Sequence, residues 1–246
     1  MKRVRLDQRV VDLGLAESRE KAQRLIRAGS VRVGGHPVSK PGHEIRDDEE
    51  VAVTAQERFV SRGGGKLEAA FQHFDLHLEG AVCLDVGASS GGFTDCLLQH
   101  GAARVYAVDV GRGQLHWKLR QDPRVVVMDG VNARYLGPES LPERPVFAVV
   151  DVSFISLTKI LPAVKQVLAD GGHLVTLIKP QFEAGRESVG RGGVVRDPAV
   201  RAEVIERVRR FGETELALTW LGVCESPLPG PAGNVEFLAY WRKNSP

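Results

Sequence analysis

A short apolar run that passes directly into a glycine-rich loop constrains this chain more than any other feature. The run and the loop read LDVGASSGGF over residues 84–93. Gly87, Gly91 and Gly92 allow the backbone to approach a bound molecule closely, because glycine has no side chain in the way. Ser89 stands where the dinucleotide-binding motif G-x-G-x-x-G needs its second glycine. The loop therefore predicts a strand–loop–helix unit whose ligand carries no pyrophosphate.

Five apolar runs alternate with helical segments from residue 81 onward. The runs cover residues 81–86, 104–110, 125–128, 146–150 and 174–178. Helices fit between them, notably over 93–100 and 157–168, and such alternation predicts a parallel sheet with helices on both faces. Two later runs, 216–223 and 235–241, flank the turn-rich segment SPLPGPAGN and predict an antiparallel hairpin that closes the sheet. We therefore expect an α/β fold with a Rossmann-like domain.

Aspartates end the first strands of this predicted sheet. Asp109 is spaced to accept hydrogen bonds from a ribose diol, and Asp129 is placed near an adenine amino group. A glycine loop followed by carboxylates on the next two strands predicts a site for S-adenosylmethionine. An ordinary glycine turn with strand-capping acids is the alternative. The residues expected to bind the cofactor are Asp85, Gly87, Ala88, Ser89, Gly91, Gly92, Phe93, Asp109, Asp129 and Asp151.

The first 55 residues have a pattern of their own. A short apolar stripe predicts a helix over residues 5–13. A second helix is expected to begin with Ser18 as its N-cap, to run to Ala28 and to stop at Gly29. Alternating valines then predict a small hairpin and a closing strand near residues 51–53. These elements predict a small α+β domain at the N-terminus.

Basic residues accumulate on this small unit, although the net charge of the whole chain is only +2. Such a cluster can follow a phosphate backbone, and a solvated helix face explains it equally well. The stretch RLDQRVVDLGLAESREKAQRLIRAGSVRVGGHPV resembles an RNA-binding module first known from ribosomal protein S4. The resemblance covers about residues 3–55. It implies that Arg5, Arg19, Lys21, Arg24 and Arg27 contact structured RNA.

Four charged residues stand where an apolar sheet has no structural use for them. Asp151 and Lys179 end the fourth and fifth strands, Glu236 lies in the last strand, and Lys66 follows RGGG. Burying an ionised group is costly without a partner, so these residues predict either a catalytic group or a structural ion-pair set. The segment after Asp151 lacks the Pro-Pro-aromatic motif of adenine amino methylation, and no cysteine has the setting of cytosine methylation. An oxygen acceptor remains.

The motifs SRGGGKL, DVGASSGGFTDC, AVDVGRGQL, DVSFISL, LIKPQFE and NVEFL closely resemble the TlyA family of ribosomal RNA methyltransferases, whose catalytic domain is of the FtsJ type. The resemblance implies that Lys66, Asp151, Lys179 and Glu236 form a tetrad for 2′-O-methylation of a cytidine ribose. It favours large-subunit RNA over small-subunit RNA as the substrate. Lys179 is the expected base, with Lys66 as a neighbouring cation and Asp151 to steer it. Glu236 would orient a lysine or the ribose. No metal is expected, because the methyl sulfonium is already activated.

The predicted organisation is an RNA-binding domain over residues 1–58, a glycine-rich linker over 59–66 and a methyltransferase domain over 67–246. The arginine- and glycine-rich segment 185–193 is either a mobile lid or a plain surface loop. Dispersed cysteines and the lack of a signal sequence favour the cytoplasm, and the lack of an apolar run of about 18 residues argues against a membrane. The resemblance implies ribosomal RNA or a ribosomal subunit as the partner. The alternatives are a non-catalytic RNA-binding protein that keeps the fold, a small-molecule O-methyltransferase and a haemolysin-like role.

Overall fold

The computed structural model describes residues 3–27, 29–53 and 58–245 of the chain. The chain divides into two compact units, Met1–Arg58 and Phe59–Pro246. Each unit has its own apolar core, because the core residues of the first unit form a cluster separate from the two clusters of the second. The predicted linker, 59–66, lies within the second unit.

The first unit packs two short helices against short antiparallel strands. Its elements are β1 (Arg3–Arg5), α1 (Leu6–Asp12), α2 (Arg19–Arg27), β2 (Val31–Val33), β3 (His36–Pro37), β4 (Glu44–Arg46) and β5 (Val51–Val53). The strands pair in the orders β1-β4 and β3-β2-β5. Ala22 and Ile26 turn one face of α2 into the core. The Ser18 hydroxyl accepts a hydrogen bond from the Lys21 amide at the start of α2, and the predicted last residue of that helix, Ala28, lies outside the described residues.

The second unit is a single seven-stranded sheet with helices. Its helices are α3 (Gly63–Phe74), α4 (Gly92–Gln99), α5 (Trp117–Arg120), α6 (Leu161–Val167), α7 (Pro180–Glu183) and α8 (Pro198–Thr214). Its strands are β6 (Val82–Val86), β7 (Arg104–Asp109), β8 (Val125–Asp129), β9 (Phe147–Val150), β10 (His173–Ile178), β11 (Leu218–Glu225) and β12 (Phe237–Lys243). The strand order is β11-β12-β10-β9-β6-β7-β8.

Strands β6 to β10 run parallel, and β12 and β11 add an antiparallel pair at one edge. The predicted α/β class and the closing hairpin are confirmed by this sheet. The predicted helix over 157–168 divides into a 3₁₀ turn, Leu157–Lys159, and α6. Pro162 in the first turn of α6 explains the break, because proline has no amide hydrogen to continue a preceding helix.

The glycine triplet Gly63–Gly65 departs from the predicted flexible linker, because it forms the first turn of α3. A Cβ atom on Gly64 would lie 2.2 Å from the Phe59 ring, and a Cβ atom on Gly92 would lie 2.8 Å from the Gly64 amide nitrogen. These distances leave no room for side chains. The glycines therefore allow α3 to pack closely against the start of α4.

No helix among the described residues combines the length and the apolar character needed to cross a bilayer.

Candidate active site

Two adjoining cavities open where the parallel strands end. The large cavity, about 530 Å³, is lined mainly by the segments after β6, β7, β8 and β9. The small cavity, about 310 Å³, is lined by the loop after β6, the start of α3 and the segments that carry Asp151, Lys179 and Glu236. Gly87, Ser89, Asp151 and Ser153 line both. Both volumes lie in the range of small-molecule sites, and ligands of open parallel sheets bind at this edge.

The glycine loop after β6 forms the wall between the cavities. Gly87 has φ +84°, and a Cβ atom there would lie 2.3 Å from the Asp151 carbonyl oxygen, so only glycine fits. Ser89 also has a left-handed backbone, with φ +48°, and its amide donates to the Asp109 carboxylate at 2.8 Å. Ala88, Ser89, Gly92 and Phe93 of the predicted loop residues line the small cavity. The loop thus exposes backbone where the sequence predicted a close approach.

Asp109 lies at the end of β7 and lines the large cavity. Its two carboxylate oxygens accept hydrogen bonds from the amides of Ser89, at 2.8 Å, and Gly111, at 2.7 Å. These bonds fix the orientation of the carboxylate toward the cavity. Carboxylate oxygens have further lone pairs, so Asp109 can still accept from a ligand hydroxyl.

Three predicted cofactor residues are not among the residues that line the cavities in the described part of the chain. Gly91 has φ +95°, and a Cβ atom there would lie 2.2 Å from Leu119, so this glycine serves packing against α5. Asp129 pairs with Arg120 at 2.9 Å and accepts from the Gly113 amide. These contacts lower the pKa of Asp129, the Gly113 hydrogen bond most.

The third of these residues, Asp85, is fully buried beneath the loop. Its carboxyl accepts a 2.6 Å hydrogen bond from the Thr94 hydroxyl of α4. Burial raises the pKa of Asp85 to about 7, the nearby charges of Asp151 and Asp109 add to the rise, and the Thr94 bond opposes it. Asp85 therefore ties β6 to α4 beneath the loop.

The small cavity contains two lysine–carboxylate pairs. The Lys66 Nζ atom lies 2.5 Å from Glu236 Oε2, and the side chains are only 7% and 1% exposed. The Lys179 Nζ atom lies 2.5 Å from Asp151 Oδ1, with exposures of 10% and 22%. The fold thus brings together four residues that are separated by up to 170 positions in the chain. All four line the same cavity.

Two residues beside these pairs were missed by the sequence analysis. The Ser153 hydroxyl accepts a 2.9 Å hydrogen bond from Lys179 Nζ and lines both cavities. Phe154 is 90% exposed, lines the large cavity and has φ +63°, a backbone conformation that is strained for a large side chain. The ring of Phe182 lies 5.0 Å from that of Phe154. An exposed, strained aromatic residue cannot be recognised from the letters DVSF alone.

The five predicted RNA contacts on the first unit fall into two groups. Arg5 and Arg19 each lie 3.0 Å from the fully buried Asp7 carboxylate, whose pKa they hold well below its usual range, with Arg5 contributing most. They therefore have a structural partner and keep about half of their side chains exposed. Lys21, Arg24 and Arg27 are exposed and repeat every three residues along α2, opposite the buried face.

The segment predicted as a lid or a loop is attached at its C-terminal end. The side chain of Asn234 accepts a hydrogen bond from the Val195 amide and donates to the Gly193 carbonyl, both at 2.9 Å. Asn234 is 1% exposed and lies two residues before Glu236. The segment is thus linked to the stretch directly before β12, where Glu236 stands one residue ahead of the strand in which the sequence placed it.

A parallel sheet with this strand order, a glycine loop after its first strand and a carboxylate at the end of the next define the class of Rossmann-like methyltransferases. The FtsJ-like methyltransferase model matches residues 59–243, and the S4 domain model matches residues 4–51. The chain belongs to the FtsJ-like methyltransferase family, in its TlyA group with an N-terminal S4 domain.

Relatives and solved structures agree with this assignment. The 16S/23S rRNA (cytidine-2′-O)-methyltransferase TlyA of Mycobacterium tuberculosis is 49% identical over 98% of this chain and 90% of its own length. The 23S rRNA (cytidine-2′-O)-methyltransferase TlyA of Campylobacter jejuni is 31% identical over 76% of this chain and 72% of its own. A structure described as a candidate hemolysin, from Streptococcus thermophilus, is 46% identical, covers 100% of this chain and 90% of its own, and has a TM-score of 0.76.

Proposed function

We propose that this chain transfers the methyl group of S-adenosylmethionine to the 2′-hydroxyl of a cytidine in ribosomal RNA. Large-subunit RNA is favoured over small-subunit RNA as the substrate. One observation carries the proposal: two lysine–carboxylate pairs line a cavity that shares a wall with a second, cofactor-sized cavity. The relatives named above methylate cytidine riboses according to their names. The same chemistry is the simplest function for this site.

The large cavity is the proposed cofactor site. Asp109 would accept hydrogen bonds from the ribose diol, and the loop over residues 87–89 would follow the amino-acid part of the cofactor. Asn132 lines the cavity after β8, where the sequence predicted Asp129, and so replaces it as the candidate neighbour of the adenine. When bound, the cofactor supplies an electrophilic methyl group on a positively charged sulfur.

Lys179 is the proposed base. Asp151 and Ser153, which line both cavities, hold its Nζ atom. A hydroxyl in the small cavity would then meet both the amine and the methyl donor. A deprotonated Lys179 would take the proton of the 2′-hydroxyl as the oxygen–methyl bond forms and the methyl–sulfur bond breaks. The products are a methyl ether, a neutral sulfide and a protonated lysine. Lys66 and Glu236, which line the same cavity, would hold the ribose.

Phe154 is the proposed contact for the target base. Its ring is almost fully exposed beside the shared wall, and a base that has left its stack gains about 1–3 kcal/mol on an aromatic side chain. The strained backbone of Phe154 indicates that surrounding contacts hold the ring in this exposed position.

The first unit is proposed to dock the RNA. Lys21, Arg24 and Arg27 form an exposed basic stripe, and the S4 domain model matches this part of the chain. Each phosphate contact releases counterions, so binding should weaken steeply as salt rises. A ribosomal substrate also places the proposed site of action in the cytoplasm. The oligomeric state does not enter this mechanism.

The decisive experiment maps 2′-O-methyl groups in ribosomal RNA of cells with and without the protein, and repeats the reaction with purified subunits. We expect one cytidine ribose to gain a methyl group that depends on the protein and on S-adenosylmethionine. Binding of RNA without any methyl transfer would favour the non-catalytic alternative. Methylation of small phenols or catechols but not of RNA would favour the small-molecule alternative.

A further inference from the structure

The loop after β9 and the segment after β10 carry the proposed reacting pair, and contacts both at the cavities and away from them join the two. At the cavities, Lys179 pairs with Asp151 and donates to Ser153, and the rings of Phe154 and Phe182 lie 5.0 Å apart. A further contact is made by Glu183, away from the residues that line the cavities.

Glu183 reaches across from the end of α7 to the turn that follows Phe154. Its Oε1 atom accepts from the Leu157 amide at 2.7 Å, and its Oε2 atom accepts from the Ser156 hydroxyl at 2.7 Å. The Ser156 hydroxyl also lies 2.8 Å from that of Thr158 and caps the 3₁₀ turn. Both carboxylate oxygens are therefore used by one turn.

The location of Glu183 allows its contacts to limit the movement of the segment that carries Lys179. It stands four residues after Lys179 in the chain, and α7, between them, is a single turn that begins with Pro180. Its backbone carbonyl accepts a hydrogen bond from Arg207 of α8, which anchors this end of α7 to a long helix. A carboxylate held at one end and bonded to Ser156 and Leu157 at the other limits how far the two segments can separate.

The partial burial of the Glu183 carboxylate also costs free energy, which a purely structural residue would not need to spend. Burial raises the pKa of the Glu183 carboxyl, while the hydrogen bonds from Leu157 and Ser156 and the charge of Arg207 oppose the rise. A partly buried carboxylate is stabilised mainly by the two bonds it accepts. A neutral residue would fill this position at lower cost if only packing were required.

We propose that Glu183 is a positioning residue that, through Ser156 and Leu157, sets the loop 151–155 so that Asp151 meets Lys179 and Phe154 faces the target base. The inference rests on the proposed function. Glu183 touches neither cavity, so it acts on geometry and not on the reacting atoms.

The test compares Glu183→Ala with Glu183→Gln in single-turnover methylation of ribosomal RNA. Glu183→Ala is expected to lower the rate constant about 30-fold, because small displacements of reacting groups cost up to about 100-fold. The Kd for S-adenosylmethionine, measured by calorimetry, should stay within about threefold of the wild type. Glu183→Gln keeps an acceptor for Leu157 and a polar partner for Ser156, and should recover the rate to within about fivefold.

The control is Glu143→Ala, which removes a carboxylate that also accepts two side-chain bonds, from Arg104 and Tyr106, far along the sheet. It should leave the rate within about twofold. If Glu183→Ala does not fold, Ser156→Ala removes one of the two bonds and should lower the rate about fivefold.

An unchanged rate in Glu183→Ala, or in Ser156→Ala where Glu183→Ala does not fold, overturns the proposal. So does a glutamine variant no better than alanine, or an equal loss in Glu143→Ala. An inactive wild type overturns the proposed function itself, whereas an active wild type with an equally active Glu183→Ala overturns only the role of Glu183.

Discussion

The two lysine–carboxylate pairs of the small cavity have the same chemistry and the same 2.5 Å separation, yet they are built differently. Lys66 and Glu236 are both almost completely buried, and Gln181 lies 3.4 Å from the second oxygen of Glu236. Asp151 is 22% exposed and lines both cavities. Ser153, the second partner of Lys179, also lines both cavities. One pair is therefore almost completely enclosed, whereas the carboxylate of the other pair is open to both cavities.

This difference in burial predicts different effects of the two pairs on stability and on the reaction rate. Breaking a buried pair leaves an uncompensated charge and destabilises the fold, whereas a partly exposed partner can be rehydrated. A group that must give and take a proton has to reach both reactants. We therefore expect variants of the Lys66–Glu236 pair to lower stability and variants of the Lys179–Asp151 pair to lower the rate.

The largest expected effect is that of Lys179→Met. Removal of the proposed base should lower the single-turnover rate of ribose methylation about 1,000-fold or more, within the range of general base catalysis. The matched control is Lys159→Met, an exposed lysine of the 3₁₀ turn before α6, which should leave the rate unchanged. A Lys179→Met enzyme with more than a tenth of the wild-type rate would remove lysine from the base role.

The next effect is that of Lys66→Met on stability. The substitution leaves Glu236 buried without its cation, and we expect a loss of about 3 kcal/mol. For a domain of this size that corresponds to a fall in Tm of roughly 6–12 °C. Differential scanning calorimetry of Lys66→Met beside Lys179→Met measures the contrast. Equal losses of Tm in the two variants would contradict the distinction between the pairs.

Asp151→Asn should have a smaller effect on the rate. Asparagine keeps the shape but removes the charge that holds Lys179, and a hydrogen bond to a charged group contributes about 1.5–3 kcal/mol. We expect a 10- to 100-fold lower rate with Tm within about 2 °C of the wild type. The companion variant Glu236→Gln should show a larger loss of Tm and a smaller loss of rate than Asp151→Asn. A single pattern in both variants would show that the pairs act as one unit.

The last expected effect concerns pH and a third carboxylate, Asp85, which lies beneath the loop. The pKa of Asp85 is raised from 3.8 to about 7, mainly by burial and in part by the charge of Asp151, so the folded state holds this proton more tightly than the unfolded chain does. The contribution of Asp85 to wild-type stability should therefore fall as pH rises from about 4 to about 7. Asp85→Asn carries no such proton, so its Tm should rise relative to that of the wild type across this range. A constant difference in Tm between pH 4 and pH 8 would contradict this assignment.

Much of the fold could be predicted from the pattern of residues. The parallel strands and the closing hairpin follow from apolar runs, whose bounds the structure moves by only one or two residues. The glycine triplet could not be read in this way. Its sequence is typical of a flexible segment, and only the contacts of Gly64 with Phe59 and of Gly92 with Gly64 show that close packing requires Gly64.

The candidate site divides in the same way. Charged residues at strand ends could be recognised because an apolar sheet has no structural use for them. Asp129 was expected beside the cofactor, yet the cavity lining at this strand end comes from Asn132, because Arg120 and the Gly113 amide already bind that carboxylate. Arg120 and Gly113 are 9 and 16 residues away, and no local pattern announces such a pair.

The sequence by itself determined the class of sheet, the glycine loop and the identity of the four charged residues, because periodicity and residue type are local properties of the chain. The pairing of those four residues, and the opening of the Asp151 carboxylate to both cavities, follow only from the tertiary structure. It also decided that Glu183 bonds the turn beside Asp151. Pairing and burial depend on which strand ends become neighbours in the folded sheet, and that adjacency is set by the packing of the whole unit.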